Sequence, residues 1–220
     1  MKPGYEQIRN DREINLLIEQ GNRNLKVLGY TEHSRKHAVK VAETAGRILK
    51  ELGYRRRQVE MAKIAGYMHD IGNAINRNHH AEYGALLAND LLKDTNMSLE
   101  DRVTVIAAIG NHDEATGTAV SDISAALILA DKSDVHRDRV RNTNMSTFDK
   151  HDKVNYAVTN ANFSLDKENR KITLDLTIDT KICPVLDYFE IFMDRTMMSK
   201  FAAKYLDIWF ELIINDTKLL

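Results

Sequence analysis

Cysteine, proline, net charge and long apolar runs are all in short supply in this chain, and each shortage excludes something. The one cysteine, Cys183, rules out an internal disulfide and any cysteine-rich zinc module. It suits a reducing compartment, so a cytoplasmic location is expected. Two prolines and ten glycines leave few interruptions in 220 residues, which favours long helices. A formal net charge of −1 gives bulk electrostatics no pull towards nucleic acid or an anionic membrane. No apolar run approaches membrane-spanning length, and the N-terminus lacks the apolar core of a signal peptide. What is present is 43% hydrophobic and 29% charged residues, enough apolar matter for a real core in one domain of moderate size, or one domain with an appendage. There is no internal repeat and no low-complexity tract.

Periodicity predicts a helical body followed by a β-rich tail. Ile8, Ile14, Leu17 and Ile18 predict a first helix over residues 6–20, with a short second one over 22–29. Thr31 is placed to cap a helix ending near Leu52, striped by Ala38, Val41, Ala42, Ala45, Ile48 and Leu49. Further helices are expected from Arg55 to the pair His69-Asp70, from His79-His80 through Leu92, from Ser98 (with Asp101 three residues on) to His112, and from Ser121 to Asp131. Residues 72–78 read as a polar loop. The charges of 137–141 are expected to carry the last helix into solvent, and 142–153 to be a connection without periodicity.

Beyond it the period becomes two. Ile172, Leu174, Leu176 and Ile178 alternate with polar residues, as a half-buried strand does. Val154, Tyr156 and Val158 suggest a looser partner strand, Pro184 opens a helix to about Leu206, and Ile208, Phe210, Leu212 and Ile214 a third strand. The expected organisation is a mainly α body over 1–142 and a small α+β extension, an antiparallel sheet plus a helix, over 143–220.

Histidines and aspartates at helix ends carry the chemistry: His33, His69, Asp70, His80, His112 and Asp131. Imidazole and carboxylate without thiolate suit iron, manganese, zinc or cobalt. Six ligands are too many for one closed tetrahedral zinc, so two ions sharing Asp70 use them best. His33, His69 and Asp131 would serve one ion, His80 and His112 the other. His37 rivals His33 one turn away, His79 adjoins His80, and Asp134 competes with Asp131; His136 and His151 are expected to be solvated. Lys132, Arg137 and Arg77 are basic residues near this set able to hold an anionic oxygen, each with solvation as the bland alternative. Asn111, Asp113 and His37 are candidates to orient ligands or shuttle a proton.

Glu32-His33-Ser34, His69-Asp70-Ile71-Gly72, His80 with Gly84 four residues later, His112 and Ala130-Asp131 together resemble the HD-domain metal-dependent phosphohydrolases, over residues 31–141. The resemblance implies an HD-type helical bundle, and the two additional histidines look like those of its dinuclear members. Asn73 stands where many members carry lysine, and no Gly-Tyr-Pro follows His112; both depart from the cyclic-di-GMP hydrolases. The expected function is cleavage of a phosphate ester in a nucleotide or other small phosphorylated metabolite. The expected cofactors are two divalent ions, iron or manganese foremost, with zinc, cobalt, nickel or magnesium also compatible. Asp70, Lys132 and Arg137 would act on the substrate, and a homodimer is a fair expectation. Two other readings stand beside it: a di-iron oxygenase on the same scaffold, told apart by oxygen-dependent turnover, and a metal-stabilised regulatory module, told apart by inertness on phosphate esters.

Overall fold

The structure, a computed structural model, describes residues 4–220, so the first three residues of the expected 1–142 unit lie outside the described residues. Seven helices form the body: α1 (Tyr5–Arg9), α2 (Arg12–Val27), α3 (Arg35–Glu51), α4 (Arg56–Met68), α5 (His80–Lys93), α6 (Leu99–Gly110) and α7 (Asp122–Lys132). α7 is the central one, since every residue from Ile123 to Lys132 is buried. Leu127, Ile128 and Leu129 alone each contribute about 2 kcal/mol by leaving water. The α3 stripe is buried as its spacing requires, against α4 and α7. α3 and α4 run close because Gly66 faces backbone: a Cβ there would lie 2.8 Å from Ala42 Cα.

A 3-10 turn, Ile71–Ala74, follows α4 and lies against α5. Gly72 permits this. A Cβ on it would sit inside the His80 carbonyl oxygen and 2.5 Å from the Gly84 nitrogen. The two glycines thereby draw the turn carrying Asp70 up to the start of α5.

Several local expectations are corrected. The N-terminal break falls at Asp11, whose carboxylate caps α2 through Glu13 N (2.8 Å) and Ile14 N (3.0 Å), and α2 runs unbroken through Gly21. Gly21 backs onto the 3-10 turn, where its missing side chain makes room for Asn73. Ser34, not Thr31, caps α3, accepting from Lys36 N at 3.1 Å. The segment after α7 does not run out to solvent: Arg139 is buried and donates to the Asp134 and Glu32 carbonyls.

Residues 142–153 include a short helical turn, and α8 (Lys150–Ala157) begins within them, capped by Asp149 through Asp152 N at 2.7 Å. Val154 and Tyr156 therefore belong to a helix, and the first strand starts at Val158.

The strands are β1 (Val158–Asp166), β2 (Lys171–Ile178), β3 (Trp209–Ile214) and β4 (Thr217–Lys218), in the order β1-β2-β3-β4, with α9 (Val185–Tyr205) between β2 and β3. The outer pairs are antiparallel as expected, but β2 and β3 are parallel. The reason is α9, which carries the chain back along its full length before β3 begins. Register aligns Ile172 with Phe210, Leu174 with Leu212 and Leu176 with Ile214, so one apolar face is continuous across both strands. That face, α9 and the body share one buried core. No helix of the described residues is long and apolar enough to cross a membrane.

Candidate metal centre

Helix ends bring the histidines and aspartates together. His37 lies in the first turn of α3, His69 caps the C-terminus of α4, and Asp70 opens the 3-10 turn. His80 begins α5, His112 follows the end of α6, and Asp131 is in the last turn of α7.

Each imidazole is held by its Nδ1. That atom faces Asp134 Oδ2 in His37 (2.6 Å), the Gly66 carbonyl in His69 (2.8 Å), the Arg77 carbonyl in His80 (3.1 Å) and the Ile109 carbonyl in His112 (2.6 Å). An oxygen acceptor at Nδ1 assigns the ring proton there and leaves the lone pair on Nε2. The four Nε2 atoms then form two pairs, His37 with His69 at 3.3 Å and His80 with His112 at 3.2 Å. Two lone pairs at such a distance repel unless a cation lies between them.

The carboxylates complete both pairs. Asp70 Oδ2 is 3.3 Å from His69 Nε2 and 3.8 Å from His37 Nε2, while Oδ1 is 3.6 Å from His80 Nε2 and 3.9 Å from His112 Nε2. Asp131 Oδ1 joins the first pair, 3.4 Å from His37 and 3.7 Å from His69. Nitrogen and oxygen ligands bound at ~2.1 Å to one ion stand roughly 3–3.5 Å apart, close to these spacings. His37-His69-Asp70, His69-His112-Asp131 and Asp70-His80-His112 each have ligand atoms within 4.8 Å of one another. The donor set fits divalent metal ions, with Asp70 offering one oxygen to each side.

His33 is placed differently from the expectation. It is absent from those groups; its Nδ1 donates to the Thr31 carbonyl at 2.8 Å, and its ring stands edge-on to His37 with centroids 5.4 Å apart. The cause is the cap: with α3 starting after Ser34, His33 precedes the helix and His37 occupies the first turn. His33 instead lines the adjoining cavity. Of the neighbours His79 and His80, only His80 enters the cluster. His79 is exposed, left-handed in backbone (φ 60°) and 3.6 Å from Glu82. Asp134 supports the centre from behind, holding His37 with one oxygen and Lys40 with the other at 2.5 Å. Asn73 donates to Asp70 Oδ1 at 2.9 Å and so fixes the shared carboxylate. Asn111 turns back to the Ala107 carbonyl, whereas Asp113 faces the cavity 3.8 Å from His80 Nδ1.

Electrostatics follow from this crowding. Burial opposes ionisation of Asp70, yet His69, His33 and His80 hold its pKa well below the usual carboxylate range. Asp131 is likewise held down against burial by Lys132, His37 and His69. Burial, then the neighbouring His69 and His80, push His112 far below an ordinary histidine; burial also lowers His80. Burial opposes charging of His69 too, but Asp70 and Asp131 outweigh it and raise its pKa. Neutral, acceptor-bearing His80 and His112 beside ionised carboxylates are what metal binding requires.

A cavity of about 310 Å³ opens on the cluster. Lys132 lines it, but its ammonium is held by Asp131 Oδ2 (2.9 Å) and Glu114 Oε2 (2.5 Å). Arg137 does not line it: its guanidinium carbon lies 4.9 Å from the Tyr156 ring centroid. Arg77 lines it beside His80 and over Tyr30. His151 is exposed, as expected, and also borders it. The residue missed from sequence is Arg195, which reaches the cavity from α9 with Ile191 and Phe192. Its only sequence signal is a lone arginine on an otherwise Phe- and Met-rich helix.

The family profile described as HD domain matches residues 35–159, taking in His37 and every other member of the cluster and stopping short of α9. Among curated proteins, the chain is 26% identical over 160 residues to an uncharacterized protein of Methanocaldococcus jannaschii, covering 62% of this chain and 61% of that protein. It is 30% identical over 134 residues to ribonuclease Y of Enterococcus faecalis, covering 56% of this chain and 24% of that one. The chain thus spans only part of these relatives' length. A solved structure titled an HD superfamily hydrolase, from an uncultured Thermotogales bacterium, shares 26% identity at a TM-score of 0.44, over 56% of this chain and 67% of that one.

Proposed function

Because this chain belongs to the HD-domain family, whose profile spans more than half of it, we propose that it is a metal-dependent phosphohydrolase that cleaves a phosphate ester in a nucleotide or other small phosphorylated metabolite. The observation that carries this reading is Asp70, whose two carboxylate oxygens face two separate imidazole pairs. His37, His69 and Asp131 would hold one divalent ion with Asp70, and His80 and His112 the second; hard and borderline donors favour iron or manganese. Such ions supply an activated water near neutral pH and neutralise charge on phosphoryl oxygens.

The chain's own residues do the rest. Asp134 and the three carbonyls fix the tautomers, so every Nε2 is presented as an acceptor. Lys132 orients Asp131 and balances its charge with Glu114. Asp113, bordering the cavity beside His80, is positioned to take or return a proton. Ile191 and Phe192 close one wall with apolar surface and limit water. A phosphoester substrate is supported by the arginines at the cavity and by relatives named as ribonucleases.

The test is metal analysis of protein purified without chelators, beside turnover of a panel of nucleotides and phosphate esters with and without Mn²⁺. Asp70→Ala should sharply lower bound metal and abolish metal-dependent turnover. Unchanged metal content and rate would overturn the assignment.

A further inference from the structure

We propose that Arg195, delivered by the extension helix α9, is the residue that recognises the substrate's phosphate group, so that the α+β extension completes the site. This rests on the phosphohydrolase reading above.

The cationic side chains around the cavity differ in how much donor capacity they retain. Lys132 is bound to two carboxylates, at 2.9 and 2.5 Å. Arg139 donates to the carbonyls of Glu32 (Nε 3.1 Å, Nη2 2.8 Å) and Asp134 (Nη1 2.6 Å). Arg77 places Nη1 3.3 Å from His80 Nε2. Arg195 makes one hydrogen bond, Nη2 to the Asp131 carbonyl at 3.3 Å, and its buried Nε has no partner. A guanidinium carries five N–H donors in a planar fork suited to two oxygens of one phosphate. Most of these donors are unused in Arg195, so an arginine held this way on a cavity wall retains capacity for a ligand.

The helix is shaped to present it. Phe192 departs from helical geometry (φ −116°, ψ 16°), and this kink lies one turn before Arg195. The Phe192 ring lies 5.0 Å from the guanidinium carbon and supports it from one side. The Nη2 bond to the Asp131 carbonyl seats the guanidinium beside a proposed metal ligand. Phosphate oxygens placed between that centre and Arg195 would meet positive charge on both sides. The profile match ends at residue 159, so this contact comes from a part of the chain that the shared family core does not include.

The experiment measures binding of inorganic phosphate to the Mn²⁺-loaded 220-residue chain by calorimetry, metal content, and KM and kcat on whichever panel substrate is turned over. Arg195→Gln should weaken phosphate binding and raise KM by about tenfold to a hundredfold, the value of a charge-assisted bond, with metal content unchanged. Phosphate affinity and KM equal to the parent's would overturn the assignment while leaving the phosphohydrolase reading standing. If the parent protein neither binds phosphate nor turns over any substrate, that reading fails and takes this one with it. Should Arg195→Gln not fold, Arg195→Lys keeps the charge and stem but loses the fork. An intermediate loss of affinity there supports the proposal, and parental affinity refutes it.

Discussion

Adding one methyl group at Gly72 should cost this protein both stability and metal. A Cβ there would meet backbone only: the His80 carbonyl oxygen, the Gly84 nitrogen at 2.5 Å and the His80 carbonyl carbon at 2.9 Å. Ordinary contact lies near 3.5 Å, so the overlap exceeds roughly 1 Å at the nearest atom and no rotamer change can relieve it. The turn carrying Asp70 must move away from α5, at a cost of about 3 kcal/mol or more. A displacement of that size separates Asp70 Oδ1 from His80 and His112, and misplacement by ~1 Å commonly costs about 100-fold in rate. Two other glycines calibrate the result. At Gly84 the nearest atom to a new Cβ is the His69 carbonyl oxygen at 3.1 Å, so Gly84→Ala should be milder. At Gly110, the last residue of α6, it is Ala85 Cβ at 3.4 Å, an ordinary contact, so Gly110→Ala should be neutral or slightly stabilising. Urea midpoints and metal stoichiometry read the series. A Gly72→Ala protein within 0.5 kcal/mol of the parent, binding metal normally, would refute the claim that this close approach builds the centre.

Two further outcomes test other parts of the structure. His37→Ala should lose about half of the bound metal while His33→Ala retains it, measured by elemental analysis; the reverse pattern would restore His33 as the ligand. Glu211, buried in β3 and hydrogen-bonded by Lys218 (2.6 Å), Lys171 (2.9 Å) and Thr173 (3.1 Å), has its pKa lowered from 4.5 to about 2 by those partners. A depressed folded-state pKa adds stability that is present above pH 4.5 and fades as the pH falls towards 2. Glu211→Gln should therefore be less stable than the parent at pH 7, with urea midpoints converging over that acid range; a constant gap would contradict the sign.

Much of the site could be read before the fold was known, because histidine and aspartate at helix ends signal themselves. The choice between His33 and His37 could not. Thr31 and Ser34 are both good caps, and the choice between them shifts the helix start by about one turn. The strands of the extension were legible where alternation was strict, as in 172–178. α8 was not, since eight residues with polar Asp152 and Asn155 among the buried positions show no helical stripe. Arg195 was missed because its neighbours on α9 read as core; only the fold brings it to the cavity. The parallel pairing of β2 and β3 was invisible because alternation reports which face a residue takes and says nothing of strand direction.

That parallel pairing also sets an order of assembly. Thr173 and Glu211, partners across the two strands, are 38 residues apart in sequence. During synthesis β2 can join β1 early, but its other rim stays open until all of α9 has been made and β3 follows. An open strand rim invites pairing with another chain, so lesions in 209–214 should show themselves first as aggregation, before any defect in chemistry is seen.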